Sequence, residues 1–278
     1  METTIRSAHR TVIVSSGLPF VIIGEKINPT GRSKLADALQ TGDYHYITEL
    51  AQKQVAAGAD ILDINIGVPG LDEVKTLPEV AKIVAKAVDV PLCLDSANPD
   101  ALAATLAALP GRPLVNSVSG EEKSLSAVLP VVKAFNVPVI GLVMDDNGIP
   151  TEARERLVVA EKIINRAAQI GIPVEDIIID PLVLTVGADS NAALVTLDTI
   201  RMVSQSLKVN INLGASNVSF GLPDRQTINQ AFLALAMGAG ATCAITDPIQ
   251  LTPTIRAADL LLGRDSYGTR YIRHWRKQ

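Results

Sequence analysis

Short apolar runs recur along this chain, and each is followed by a stretch with helical spacing. After Pro19 they read FVIIGE, ILDIN, PLCLDS, PLVNSV, PVIGLV, IIIDPL, VNINLG and ATCAIT. Strands alternating with helices predict a parallel sheet, and eight such units predict a closed (β/α)8 barrel. The runs are apolar nearly throughout, as strands are when the barrel interior covers one face and helices the other. Between the fifth and sixth runs, Leu157, Ala160, Ile164 and Ala167 fall three and four residues apart. That stripe is the expected packing face, with Arg156, Glu161, Lys162 and Arg166 on the solvent side.

An open doubly wound sheet would also alternate, but its first strand would lead into a glycine-rich phosphate loop. Here that strand runs into Gly24-Glu25-Lys26-Ile27-Asn28-Pro29, and the Gly238-Ala239-Gly240 stretch precedes a strand instead of following one. The barrel is the better reading, as a single domain over 1–278. Residues 1–20 form an N-terminal extension in which Arg10 to Val14 alternates; the expectation is a hairpin with residues 20–24 that closes the barrel floor. Residues 264–278 form a basic and aromatic tail with Tyr267, Tyr271 and Trp275 among Arg270, Arg273, Arg276 and Lys277. A solvated helix edge is expected there, with a partner-docking surface as the alternative.

The polar residues that interrupt this pattern are strongly placed. Asn65 follows ILDI, Asp95 follows PLCL, Asn116 follows PLV, Asp180 follows III and Asn217 follows INLGAS. Parallel barrels build their sites at the carboxyl ends of their strands. A pocket of carboxylates and amides, without Lys or Arg among these five, suits a neutral ligand rich in N–H groups better than a phosphate.

Composition narrows the class further. The chain has 278 residues, 47% hydrophobic and 19% charged, with 25 basic against 29 acidic residues and a net charge of −4. So mild an acidity gives no footprint for nucleic acid or an anionic membrane. No apolar stretch approaches the roughly 18 residues of a membrane-spanning helix, and METTIRSAHRTVIVSS lacks the core of a signal peptide; a cytoplasmic protein is expected. Cys93 and Cys243 lie inside apolar runs without a partner at metal or redox spacing and read as small buried hydrophobes. His9, His45 and His274 are scattered, which leaves neither a histidine metal site nor a Ser-His-Asp triad. Lys26 is the one candidate for a Schiff base and is better read as a salt-bridged residue. Asp145-Asp146 before Asn147-Gly148 is turn chemistry.

The segments GEKIN, LDIN, LCLDS, VNSVSG, GLVMDDNGIP, IIIDPL and LGASNVSFGLPDR, in this order between about residues 21 and 260, resemble those of the methyltetrahydrofolate:corrinoid methyltransferases. These belong to the pterin-binding barrel superfamily, with the folate domain of cobalamin-dependent methionine synthase and dihydropteroate synthase as relatives. The resemblance implies that Asp95, Asn116 and Asp180 hold the pterin ring, whose 2-amino, N3–H and N8–H groups are donors needing acceptors opposite them. Asp95 and Asp180 could instead cap the helices after their strands, but Asn98-Pro99 is a rival cap that frees Asp95. By the same resemblance Asn217 reaches N5 of the folate, the atom bearing the methyl group. An amide stabilises charge there but cannot surrender a proton near pH 7, so the proton comes from water or a carboxylate.

Arg225 matches a family arginine near the folate and the corrinoid side. Phe220 stands where a family glutamine contacts the corrinoid, a departure from the pattern. Asp63 and Asn65 are expected at the pocket floor, orienting other members. Gly214 and Ser216 let their loop approach the pterin closely. No D-x-H-x-x-G sequence of a cobalamin-binding domain is present, so the corrinoid is expected on a partner protein. Tetrahydrofolate or 5-methyltetrahydrofolate is the substrate, no metal ligands are expected, and the resemblance implies a homodimer. A dihydropteroate synthase is the runner-up, disfavoured because the GVPGLDE loop has no Arg and SNVS lacks the expected Lys. A noncatalytic folate carrier is the alternative of another class.

Overall fold

A computed structural model describes residues 1–276; Lys277 and Gln278 of the expected tail lie outside the described residues. Among the described residues ten strands and ten α-helices follow in chain order. β1 (Thr3–Arg6) and β2 (Thr11–Val14) precede β3 (Val21–Ile27), α1 (Ser33–Thr41), α2 (His45–Ala57) and β4 (Ile61–Asn65). Then come α3 (Glu73–Ala87), β5 (Leu92–Asp95), α4 (Pro99–Ala108), β6 (Leu114–Ser119), α5 (Glu122–Phe135) and β7 (Val139–Leu142). The chain continues through α6 (Ala153–Gln169), β8 (Ile177–Asp180), α7 (Ala192–Ser206), β9 (Asn210–Ile211) and α8 (Arg225–Ala239). It ends with β10 (Cys243–Thr246), α9 (Pro248–Leu261) and α10 (Thr269–Trp275).

The eight strands from β3 to β10 pair in parallel in sequence order, with β10 beside β3. The ring closes between β9 and β10 through a parallel bridge of Gly214 with Ile245 and a hydrogen bond from Ile245 N–H to Leu213 O at 2.8 Å. All eight apolar runs of the sequence are barrel strands. Their side chains alternate, so positions two apart share a face. Leu62, Ile64, Leu92, Leu94, Val115, Val139, Ile177 and Ile179 point outward into the layer beneath the helices. Ile61, Cys93, Leu114, Ile140, Ile178 and Cys243 point inward and fill the lower barrel.

The helices start where their caps dictate. Asn98 accepts the N–H groups of Asp100 and Ala101 at 3.0 and 3.3 Å, with Pro99 opening α4; Asp247 accepts Ile249 N–H at 3.0 Å before Pro248 and α9. Both are the favoured arrangement of an Asx cap followed by proline.

Three local expectations are corrected. β2 pairs antiparallel with β1, Thr3 opposite Val14 and Arg6 opposite Thr11, not with residues 20–24. Residues 21–24 are already held by β10 on one side and β4 on the other, which leaves no free edge for β2. The hairpin nevertheless closes the floor: Ile5, Val12 and Val14 pack under the inward residues of the barrel strands. Asn210 fastens it, donating to Thr3 Oγ1 at 2.9 Å and Val14 O at 2.8 Å.

The second correction concerns α6. Its buried face is Arg156, Val159, Ala160, Ile163 and Ala167, rotated from the predicted stripe, with Leu157 and Ile164 only half-buried. Arg156 is 1% exposed and is not a solvent-facing residue. Its guanidinium donates to the carbonyls of Pro150, Pro181 and Leu182 at 2.9, 2.8 and 2.9 Å, which satisfies the charge inside the fold. The tail also departs from a plain solvated edge, because Arg270 of α10 turns inward to 3.6 Å from Asp60 while Tyr267 and Trp275 stay exposed. Cys93 and Cys243 are buried free thiols, as expected, and burial raises both well above the ordinary thiol value.

Candidate functional site at the carboxyl ends of the strands

The inward face of each strand changes character halfway up. Ile61 is followed two positions on by Asp63, Cys93 by Asp95, Leu114 by Asn116 and Ile178 by Asp180. The alternation that seals the lower barrel with apolar side chains therefore places these four polar ones above them, facing one another. They line a cavity of about 430 Å³, within the size range of small-molecule sites. Gly214, Ser216 and Asn217 line it from the loop after β9, and Leu142 and Ile245 supply apolar wall.

The polar groups orient each other. Asn116 donates its side-chain N–H to Asp63 Oδ1 at 3.1 Å, and Asn65 donates to Asp95 Oδ2 at 3.0 Å. Asn65 thus stands behind Asp95, outside the cavity lining and not at the pocket floor. Asp63 is 2% exposed; burial, then the Asp95 charge, pushes its carboxyl well above the usual range. Burial also raises Asp95, against a lowering by the Asn65 hydrogen bond. The helix after β5 is capped by Asn98, so Asp95 is released for the cavity.

Asp180 is 5% exposed. Its Oδ1 accepts Leu182 N–H at 2.8 Å and its Oδ2 accepts the Asn212 amide at 2.7 Å. Burial raises its pKa to about 6, against lowering by the Leu182 and Asn212 hydrogen bonds, the Gly214 N–H and the Arg156 charge. The capping role weighed for Asp180 is absent in its usual form: its backbone bond goes to the loop at 182, ahead of α7, which starts at Ala192.

Asn217 sits on a 3₁₀ turn, Ala215–Ser219, and is solvent-exposed at the lip of the cavity. Among the described residues its side-chain amide has no hydrogen-bond partner in the protein, so it is available to a ligand. A Cβ on Gly214 would come within 3.1 Å of the Asn217 amide nitrogen, so a larger residue there would shift that amide by a few tenths of an ångström. Ser216 donates to Glu25 Oε2 at 2.8 Å. Arg225 does not line the cavity. It is exposed and braces the turn from outside, with Nε donating to Ser219 Oγ at 3.1 Å and Nη2 to Ser216 O at 2.7 Å. Phe220, 68% exposed, lies beneath the Arg225 guanidinium at 5.8 Å and also stands outside the lining.

Sequence reading missed Glu25, Arg32, Asn212 and Arg156. Arg32 enters the cavity from the loop after β3, its Nη1 donating to Lys26 O at 2.7 Å. Lys26 is ion-paired with Asp247. The cavity lining therefore sets four carboxyl groups, Glu25, Asp63, Asp95 and Asp180, against one guanidinium. Such a wall accepts N–H donors and disfavours a pyrophosphate. Asp145 forms the expected turn, exchanging backbone hydrogen bonds with Gly148 at 3.0 and 2.8 Å. Among the described residues no group of three or more His, Cys, Asp or Glu side chains is placed to hold a metal ion. Nor is any helix there long and apolar enough to cross a membrane.

Comparison with known proteins places the chain among pterin-binding barrels. Over 264 residues the chain is 31% identical to the methylcorrinoid:tetrahydrofolate methyltransferase of Eubacterium limosum, covering 92% of this chain and 96% of that protein. It is 28% identical over 268 residues to the methionine synthase of Mycobacterium tuberculosis, but spans only 22% of that longer protein. Among solved structures, 7,8-dihydropteroate synthase from Vibrio fischeri superposes with a TM-score of 0.71 at 16% identity, covering 94% of this chain and 99% of that one. Dihydropteroate synthase from Xanthomonas albilineans gives 0.69 at 20% identity, covering 93% and 98%. At these identities the structural matches speak for the barrel alone. The family model of pterin binding enzymes matches residues 24–247, nearly the whole barrel from the carboxyl half of β3 to the end of β10, and the chain belongs to that family.

Proposed function

We propose that this protein is a methyltransferase that moves a methyl group between N5 of tetrahydrofolate and the cobalt of a corrinoid presented by a separate protein. The observation that supports it best is the pairing of an acceptor-rich cavity with the uncommitted Asn217 amide at its lip. Asp95, Asn116 and Asp180 offer oxygens to the 2-amino, N3–H and N8–H groups of a reduced pterin. A hydrogen bond to a charged carboxylate contributes roughly 1.5–3 kcal/mol, enough to fix the ring in one orientation. Held that way, the ring turns its N5 edge toward Asn217 and the open mouth.

The corrinoid, as co-substrate, supplies the metal that gives or takes the methyl group. This chain's residues govern the nitrogen. When the methyl group leaves N5, electron density builds on that atom, and the Asn217 N–H stabilises it. The amide holds its proton, so protonation of N5 goes through water or a carboxylate. Arg32 is the cation available to the carboxylates of the glutamyl tail. Arg225 and Phe220, at the rim, form the surface on which the corrinoid protein docks. The same geometry serves transfer in either direction.

The wall of four carboxyl groups argues against a dihydropteroate synthase, which must hold a pyrophosphate. The family resemblance supports a homodimer, and the two buried free thiols suit a cytoplasmic protein.

The decisive experiment mixes purified protein, methyltetrahydrofolate and cob(I)alamin and follows the Co(I) absorbance, then runs the mixture from methylcobalamin and tetrahydrofolate. Protein-dependent exchange is expected. Folate binding by calorimetry without exchange, both with free cobalamin and with corrinoid-loaded partner protein, would leave a carrier instead of an enzyme.

A further inference from the structure

A second polar cavity, of about 250 Å³, opens at the floor of the barrel, on the side opposite the pterin pocket. Guanidinium groups reach it from three separated stretches of chain: Arg10 from the turn between β1 and β2, Arg256 from α9, and Arg270 and Arg273 from α10. Asp60, just before β4, stands among them, and His274 lies beside them.

The acids here do not use up these donors. Asp60 Oδ1 accepts Arg10 at 3.2 Å, while its Oδ2 is taken by Ile22 N–H at 3.1 Å. Arg256 and Arg270 approach it only to 3.8 and 3.6 Å. Both oxygens of Asp259 accept Phe20 N–H, at 3.0 and 3.1 Å, and Arg256 Nη1 stops 3.8 Å short of one of them. Asp265 accepts the backbone N–H groups of Arg270 and Tyr271 at 3.0 and 2.9 Å. Arg256 is 6% exposed, and its Nη1 has no hydrogen-bond partner among the described residues. A buried donor left in this way is costly.

Four guanidiniums thus face three carboxylates, each already engaged by the backbone. Their forks arrive from different directions. A further carboxylate offers two oxygens in one plane, whereas a phosphate offers three or four in a tetrahedron and answers several planar forks at once. We propose that the floor cavity binds a compact oxyanion of the phosphate class, free or as the end group of a phosphorylated small molecule. It is independent of the methyl-transfer reading and lies on the face where barrels are usually conserved for stability alone.

The test is isothermal titration calorimetry of the full chain at low ionic strength with inorganic phosphate, pyrophosphate and ATP, against chloride and acetate. Saturable binding of pyrophosphate at one per chain is expected. Arg273→Ala and Arg10→Ala, both exposed enough to spare the fold, should each weaken it about tenfold or more, the usual loss for one charge-assisted hydrogen bond. Arg32→Ala, in the upper pocket, should leave it unchanged. ATP binding as tightly as pyrophosphate identifies a phosphorylated small molecule, and pyrophosphate or phosphate alone a free anion. No saturable heat, or binding that survives Arg273→Ala and vanishes with Arg32→Ala, would overturn the site and leave the cluster as an ion-pair staple for α10.

Discussion

Asn212 donates its side-chain N–H to Asp180 Oδ2 at 2.7 Å, and the pair is buried together at the ends of β8 and β9. The carboxylate is therefore aimed before any ligand arrives. An acceptor fixed in advance loses little entropy on binding, and preorganisation of this kind raises affinity without adding contacts.

Asp180→Asn keeps the size of the side chain but replaces one acceptor oxygen by a donor. Folate affinity should fall tenfold or more while the melting temperature of the free protein changes little, because the variant also removes the burial penalty on the charge. A collapsed melting temperature with folate affinity intact would make Asp180 a structural residue.

The raised pKa gives a pH signature. The pocket needs the carboxylate, which prevails above about 6, so folate affinity should weaken as pH falls through that value. Binding near pH 6 should release protons, read as a dependence of the calorimetric heat on the buffer. For the free protein the sign is opposite: an acid raised by folding makes the fold lose stability as pH rises from the ordinary carboxylate value to about 6. Asp180→Asn should flatten both profiles.

Asn217→Ala removes the donor at N5. Methyl transfer should slow by roughly 100- to 1000-fold, the range for one preorganised donor, with folate binding nearly unchanged because the pterin contacts lie elsewhere. Single-turnover kinetics at saturating folate check this, and an unchanged rate would remove Asn217 from the chemistry.

Arg156→Ala strips three carbonyls, those of Pro150, Pro181 and Leu182, of their donor. The loop beside Asp180 should loosen, raising KM for the folate several-fold with a smaller effect on kcat, and the protein should lose stability. A variant with wild-type KM would separate this loop from the site.

Ile5→Ala leaves a hole under the barrel. A destabilisation of roughly 2–5 kcal/mol is expected for a large buried aliphatic side chain, measured by urea unfolding, while kcat below the melting temperature stays unchanged because the pocket is at the other end.

Much of this was legible in the sequence. The eight strands announced themselves because buried parallel strands are apolar on both faces, and Asp95, Asn116 and Asp180 stood out because a polar residue closing such a run either caps the next helix or faces a pocket; the structure turns all three into the cavity. Asn212 had a similar signal, two Asn residues two apart in VNINLG, but a strand that short hides its own register. Arg156 could not be read that way. It sits among charged neighbours on a helix, and the carbonyls that accept it belong to loops on either side, so its burial exists only once the barrel has closed. The hairpin partner differed because residues 20–24 are the next apolar run in sequence after Arg10 to Val14; that both of their edges are already taken is a property of the ring, not of the segment. Arg225 matches a family position, yet its bond to Ser216 O is visible only in three dimensions.

The floor plug has a consequence for biosynthesis. Thr3 and its clasp Asn210 are 207 residues apart, so at translation speeds of about 5–20 residues per second the socket emerges about 10–40 s after the plug. Throughout that interval Ile5, Val12 and Val14 have no permanent home, and the half-made ring above them is open at both edges. The amino-terminal hairpin, although made early, can seat only late, and the growing chain depends on keeping those few apolar side chains from other partners until β9 arrives.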